Sequence, residues 1–341
     1  MKPKDSFWRG RIEGLAAFAK SLLGLGVFQP NQYCPIPGFG GASRICYRLL
    51  HSQHPPSPEE SAIFETLIRH LRLSSGVYRT TFRGRFAGLN LWVNQHILQR
   101  FPSSTNLDVH DWAASDCLTS AEWLLSLAPN YPGLRLTASD LTLHLIEIEL
   151  PSGESYIVEP EGKALQYIRP PFVIALDRPE PIVFPINRFL QQRARRRLEG
   201  HQSDWAPALE EFRRSQTQER LRPPFRFRRI PLVHPEAQRA QKTFPQFRVC
   251  QHSVFDPLAE PCHVLRTMNI LNRVYFSREQ LRRGVEAARL SVREGGLWIV
   301  GRTPLEPPIR HNATIFLKSN GAFQALDRMG EGSEMEDLVS C

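Results

Sequence analysis

The residues best placed to do chemistry are a cluster of acids and small side chains near the middle of the chain. Asp111-Trp112-Ala113-Ala114-Ser115-Asp116-Cys117 closes and follows a candidate strand, and Asp140 closes a second one, 29 residues after Asp111. Small residues directly after a strand let the backbone approach a ligand. An acid after the next strand can accept hydrogen bonds from ribose hydroxyls. Together they are what a parallel α/β sheet needs to hold a nucleotide-like cofactor at the carboxyl ends of its strands. The separation exceeds the roughly 20 residues of the dinucleotide-binding rule, which concerns a related geometry.

Other groupings carry less. The six cysteines are scattered, with no Cys-x-x-Cys pair and no paired histidine spacing. That argues against a zinc site or a disulfide scaffold and fits reduced thiols of a cytoplasmic protein. Glu147 and Glu149 would share one strand face, as metal ligands do, but nothing else converges there. A solvated face is the expectation, and no metal is expected. Pro35-Ile36-Pro37-Gly38-Phe39-Gly40-Gly41 has no strand before it and no Gly-Lys-Ser/Thr after it, so it reads as a connecting loop. Cys117 reads as a small buried residue, since no base is near it in sequence. Tyr275 and His252 are candidates for substrate contact, and no catalytic base is legible.

The elements that must position these groups alternate between strand and helix from about residue 105, the signature of a parallel α/β sheet. Strands are expected at 106–111, 134–139, 247–251, 262–268 and 297–300, with a helix from Thr119 to about Leu127. Ser277-Arg278-Glu279-Gln280 is a capping box that opens another helix, expected to end at Gly295-Gly296. Asn320-Gly321, between Thr314 to Leu317 and Ala322 to Leu326, predicts a tight antiparallel hairpin at the sheet edge. Residues 1–104 read as a helical N-terminal region, with apolar spacing in Leu15, Phe18, Ala19, Leu22 and in Phe64, Leu67, Ile68, Leu71. Residues 141–245 read as a basic insertion after strand two. It holds a half-exposed hairpin at Ile146 to Val158 and an amphipathic helix marked by Trp205, Ala208, Leu209 and Phe212. Residues 331–341 read as a flexible acidic tail.

The turn after strand one resembles the methyltransferase motif Asp-x-Gly-x-Gly-x-Gly, with Ala113, Ser115 and Cys117 at the glycine positions. His263-Val264-Leu265-Arg266-Thr267-Met268-Asn269-Ile270-Leu271-Asn272-Arg273-Val274-Tyr275-Phe276 is similar to the chemotaxis receptor methyltransferase stretch Asp-Leu-Ile-x-Cys-Arg-Asn-Val-Leu-x-Tyr-Phe, with His263 where that family has aspartate. Gly295-Gly296-Leu297-Trp298-Ile299-Val300-Gly301-Arg302 is similar to the same family's Gly-Gly-x-Leu-x-Ile-Gly-His. The resemblance covers about 105–140 and 246–327. It implies a Rossmann-like class I methyltransferase domain over 105–330 that uses S-adenosylmethionine. By the same resemblance Asp111, Ala113 and Ser115 would line the methionine end of that cofactor. Asp140 would hold its ribose, Asp256 would lie beside its adenine, and Asn269 would sit near the methyl group.

Charge suggests the partners. The chain carries a formal +9, and residues 188–229 hold twelve arginines, five acids and no lysine, a local net of +7. Arginine forks suit phosphates and carboxylates, so the acceptor is expected to be an anionic small molecule, a lipid or an acidic protein segment. Nucleic acid fits less well, since few aromatics interleave the arginines. Apolar residues at 170–176, 182–185 and 189–190 beside Arg193 to Arg197 also suit the surface of an anionic membrane. No signal peptide or membrane span is read at the N-terminus. Two readings stay open: a methyltransferase, or a methyltransferase-like binding protein that has lost catalysis. The oligomeric state is open as well.

Overall fold

The computed structural model describes residues 81–169, 172–177, 185–215, 217–304 and 309–339, with short stretches and single residues between 27 and 79. The chain forms two compact units. One comprises Met1–Thr80 with His144–Leu232, the other Thr81–Leu143 with Val233–Cys341.

The second unit contains the elements expected to carry the site. In chain order they are α1 (Ala87–Arg100), β1 (Asp108–Trp112), α2 (Leu118–Leu127), β2 (Arg135–Asp140), α3 (Pro235–Thr243), β3 (Phe247–Gln251), β4 (Cys262–Met268), α4 (Arg278–Ser291), β5 (Val292–Arg302), β6 (Asn312–Ser319), β7 (Ala322–Met329) and α5 (Glu336–Val339). The sheet runs β3-β2-β1-β4-β5-β6-β7. Pairing is parallel from β3 through β5, and antiparallel where β6 and β7 close the edge. This is a Rossmann-like order, and its direction reverses between β1 and β4, where such sheets open a ligand crevice.

Both sheet faces are apolar because the central strands are covered twice. Val109, Leu136, Ala138, Val264 and Ile299 pack with Leu89, Val93 and Ile97 of α1, Trp123 and Leu124 of α2 and Ala237 of α3. Leu265, Trp298 and Val300 pack on the other face with Leu281, Val285 and Ala288 of α4. Each valine, leucine and isoleucine among them, fully buried, contributes about 1.5–3 kcal/mol. The capping box of α4 is formed: Ser277 Oγ accepts from the Gln280 N–H at 3.3 Å, and Gln280 Oε1 accepts from the Ser277 N–H at 3.0 Å. The helix ends at Ser291, before Gly295-Gly296, because both glycines belong to β5. A Cβ on Gly296 would lie 2.8 Å from the His263 carbonyl oxygen, so only glycine lets β5 approach β4 there. The expected edge hairpin turns on Asn320 (φ 54°) and Gly321 (φ 76°), the two left-handed residues of a tight turn.

Three boundaries differ from the sequence reading. The unit starts at Thr81 and not near 105, because α1 supplies core to the sheet. The segment between β2 and β3 leaves the unit at His144 and returns at Val233, so α3 is the crossover helix between those strands. Residues 331–339 are anchored, with Met335 and Leu338 in the α4-side core.

The first unit is an antiparallel sheet in the order Val27–Phe28, Phe172–Ala175, Ala164–Arg169, Ser155–Val158, His144–Glu149, Phe225–Pro231, Glu219–Arg222. The amphipathic helix is longer than its apolar markers suggested, Pro185–Arg214. Its Trp205, Leu209 and Phe212 cover Ile146, Ile148 and Tyr156. Phe64, Leu67, Ile68 and Leu71 cover Leu145, Ile157 and Ile168 on the opposite face. The Ile146 to Val158 hairpin is therefore buried on both faces rather than half-exposed. Glu147 is correspondingly 2% exposed, held in ion pairs by Arg48 and Arg228. Residues 15–22 and the glycine loop after Pro35 lie outside the described residues. Among the described residues no helix is long and apolar enough to cross a membrane.

Candidate functional site

The turn after β1 has an unusual backbone. Ala113, Ser115 and Cys117 have φ of 54°, 59° and 63°. These are the three positions at which the resembled motif has glycine. L-residues pay about 1–2 kcal/mol each for left-handed backbone, so the turn holds this geometry against the preference of its own side chains. Four hydrogen bonds fix it. The Ala114 N–H donates to the Ser139 carbonyl at 2.8 Å, and the Cys117 N–H to the Ala114 carbonyl at 2.9 Å. The Ser115 N–H donates to Asp140 Oδ2 at 2.8 Å, and Asp116 accepts the Leu118 N–H at the start of α2 at 3.1 Å. The turn is thus tied to the carboxyl end of β2 on one side and opens a helix on the other, a geometry that favours anions.

Asp140 stands at that carboxyl edge. Its Oδ1 also accepts the Thr142 N–H at 3.1 Å, and its carbonyl accepts the His252 N–H at 3.1 Å. His252 lies against Trp112, with ring centroids 4.9 Å apart. Burial lowers its pKa, opposed by Asp256. Asp256 itself is exposed in the loop that joins β3 to β4 without a helix, where its N–H donates to the Ser253 carbonyl at 3.1 Å. Ala113, Ser115, Asp140 and Asp256 therefore share the edge formed by β1, β2 and β3.

Asp111 and Asn269 have other partners. Asp111 is buried, and Arg266 of β4, also fully buried, donates to it through Nε at 2.9 Å and through Nη2. Ser120 Oγ donates to the same carboxylate at 2.5 Å, and Arg266 Nη1 reaches Asn90 Oδ1 at 2.7 Å. The Arg266 guanidinium lies 4.1 Å from the Trp123 ring centroid. The carboxylate is committed to this core network on the helix-covered face. Asn269 is left-handed at φ 63°, and its Oδ1 accepts the Thr303 N–H at 2.6 Å, which joins the ends of β4 and β5.

Sequence reasoning missed the Arg266–Asn90–Ser120 network under the turn. Its signal was present: an arginine among Val264, Leu265 and Met268, in a strand buried on both faces, requires a buried acid opposite it. Arg266 and Asp111 are register partners in adjacent parallel strands. Arg85, just before α1, was missed too. It is buried against the rings of Phe82 and Phe86, and desolvation lowers its pKa while Asp116 and Tyr275 oppose that.

No protein-family model matches the chain, and no curated protein does. Solved structures similar to it include the CurJ carbon methyltransferase (10% identity, 64% of this chain, 35% of that chain, TM-score 0.30). The sugar N-methyltransferase KedS8 from Streptoalloteichus sp ATCC 53650 is similar at 12% identity over 76% of this chain and 79% of that one, with a TM-score of 0.31. The citrinin polyketide synthase CMeT domain is similar at 11% identity over 74% and 41%, with a TM-score of 0.32. This chain spans about a third of the CurJ structure. Likenesses so distant say nothing about substrate. Strand order and pairing by themselves define a mixed α/β, Rossmann-like sheet, parallel from β3 through β5 and antiparallel at its β6–β7 edge.

Proposed function

We propose that the Thr81–Leu143 and Val233–Cys341 unit binds S-adenosylmethionine at the carboxyl edge of β1, β2 and β3 and catalyses methyl transfer to an anionic acceptor. One observation carries the reading. Three non-glycine residues at alternate positions hold the backbone of a glycine-rich cofactor turn, and the acid that closes β2 is bonded to that turn.

The residues present fit the group. Asp140 closes β2 at the carboxyl edge and is bonded to the turn through the Ser115 N–H, which puts an acid where a ribose diol would meet it. Ala113 and Ser115 are half-buried, leaving their backbone approachable for the methionine end, and exposed Asp256 suits the amino edge of adenine. When bound, the sulfonium supplies an activated methyl group. The chain's contribution is alignment, which can supply much of the rate without a protein base. The chain's formal charge of +9 supports an anionic acceptor. Likeness of 263–276 and 295–302 to the chemotaxis receptor methyltransferases supports a place near them, but their N-terminal recognition region has no match here, so their glutamate substrate is not carried over.

The test is calorimetric titration of S-adenosylmethionine into wild type and Asp140→Asn. Asparagine keeps an acceptor for the Ser115 N–H and removes the charge, so the turn survives. Binding by wild type that weakens at least tenfold, about 1.4 kcal/mol, in Asp140→Asn is expected. A folded wild type that binds none refutes the reading and leaves a binding module on the same fold.

A further inference from the structure

The arginine-rich segment divides into two populations. Arg197 pairs with Glu154, Arg213 and Arg214 with Glu210, Arg220 and Arg222 with Glu211, Arg226 with Glu219, and Arg228 with Glu147. Arg195 donates to the Leu176 carbonyl, and buried Arg229 donates to the carbonyls of Phe212 and Ser215. Nine of the twelve are thus occupied within their own unit. Arg188, Arg193 and Arg196 are exposed, and among the described residues they have neither an ion pair nor a hydrogen bond.

All three lie in the first twelve residues of the Pro185–Arg214 helix, beside its two exposed apolar side chains, Ile186 (42% exposed) and Phe189 (60%). Ile186, Phe189, Arg193 and Arg196 are spaced three, four and three residues apart, which puts them on one helical face. Asn187, Gln191 and Ala194 are buried on the other side. The outward ridge is therefore apolar at its start and cationic along its length, and the fold neutralises none of its charge.

We infer that this ridge docks on an anionic membrane surface, with Ile186 and Phe189 entering the headgroup boundary, Arg193 and Arg196 meeting lipid phosphates and carboxylates, and Arg188 meeting them from the flank of the helix. The ridge belongs to the other unit, and the inference does not depend on the cofactor reading. A ridge of four side chains is too narrow for a protein interface of about 800 Å² per partner. A bilayer moulds itself to such a ridge, and arginines beside apolar residues are what interfacial helices use. Single-stranded nucleic acid would call for a series of stacking rings, and the ridge offers one. Each arginine near an anionic leaflet contributes about fivefold in partitioning.

The test is co-sedimentation of the full chain with phosphatidylcholine vesicles, alone or with roughly a third phosphatidylserine. Binding is expected only with phosphatidylserine, and it should weaken as salt rises. The triple variant Arg188→Gln, Arg193→Gln, Arg196→Gln should lose about a hundredfold, and Phe189→Ser about tenfold. The triple change to lysine should retain binding, and Arg213→Gln with Arg214→Gln, which removes paired arginines, should leave it unchanged. All substituted positions are exposed, and matched circular dichroism confirms folding. No binding to anionic vesicles, equal binding to neutral ones, or an equal loss in the Arg213 and Arg214 variant overturns the inference. So does tighter binding of a polyuridylate oligomer that the same triple variant abolishes.

Discussion

Replacing Ser115 with glycine should stabilise the protein, against the usual outcome for a glycine substitution. Ser115 sits at φ 59° on a turn held from both sides by hydrogen bonds. A left-handed L-residue costs about 1–2 kcal/mol. Glycine removes that cost but adds about 0.4–1 kcal/mol of unfolded-state entropy, which leaves a gain of about 0.5–1 kcal/mol. For a domain of this size that is a rise of about 2 °C in midpoint. Ala113→Gly should behave alike, with a slightly smaller gain because part of a methyl group leaves the interior. Cys117→Gly should be destabilised, since that side chain is fully buried and its packing is lost. Ser115→Ala keeps the strained backbone and should not move the midpoint, whereas Ser115→Val should lower it. Urea and thermal unfolding followed by tryptophan fluorescence would measure the series, with Trp112 next to the turn. If Ser115→Gly lowered the midpoint while Ser115→Ala left it alone, the left-handed assignment would be wrong, and with it the basis for placing a cofactor there.

Two further perturbations probe the groups around the site and in the other unit. Arg266→Met strands Asp111 in the core and should cost about 3–5 kcal/mol, while Arg266→Met with Asp111→Leu should recover most of that; a double variant no more stable than the single one would contradict the pairing. His144 is half-buried, and desolvation, reinforced by Arg229 and Arg213 beside it, depresses its pKa to about 4. Its unfolded value is about 6.5, so stability from the neutral ring is fully present above pH 6.5 and is lost as pH falls toward 4. The loss is on the order of 3 kcal/mol, and His144→Gln should flatten that part of the stability curve measured by urea unfolding from pH 7 to 4.5.

How far the sequence reached depended on whether each feature is encoded locally. The succession of strands along the chain up to β5 and the edge hairpin were readable because apolar spacing, the capping box and Asn320-Gly321 are decided within a few residues. The boundaries of the two units were not, because α1 joins the sheet through Leu89, Val93 and Ile97, contacts that no local pattern announces. The arginine patch misled for the same reason. Counted along the chain it is a block of uncompensated charge. In space, Glu147 and Glu154, more than thirty residues before the first arginine of the block, neutralise Arg228 and Arg197.

The turn shows the sharper limit. Its residue types say that the three glycines are gone, and on composition that weakens a cofactor site. The backbone nevertheless takes left-handed φ at those same three positions, because Asp140, Ser139 and the start of α2 fix it there. Conformation at this turn is set by the partners of its N–H groups more than by its own side chains. A substituted glycine motif can therefore keep the shape of the motif at a cost in stability. Strain retained at three alternate positions is the pattern expected where the shape serves a ligand and the surrounding structure offsets it.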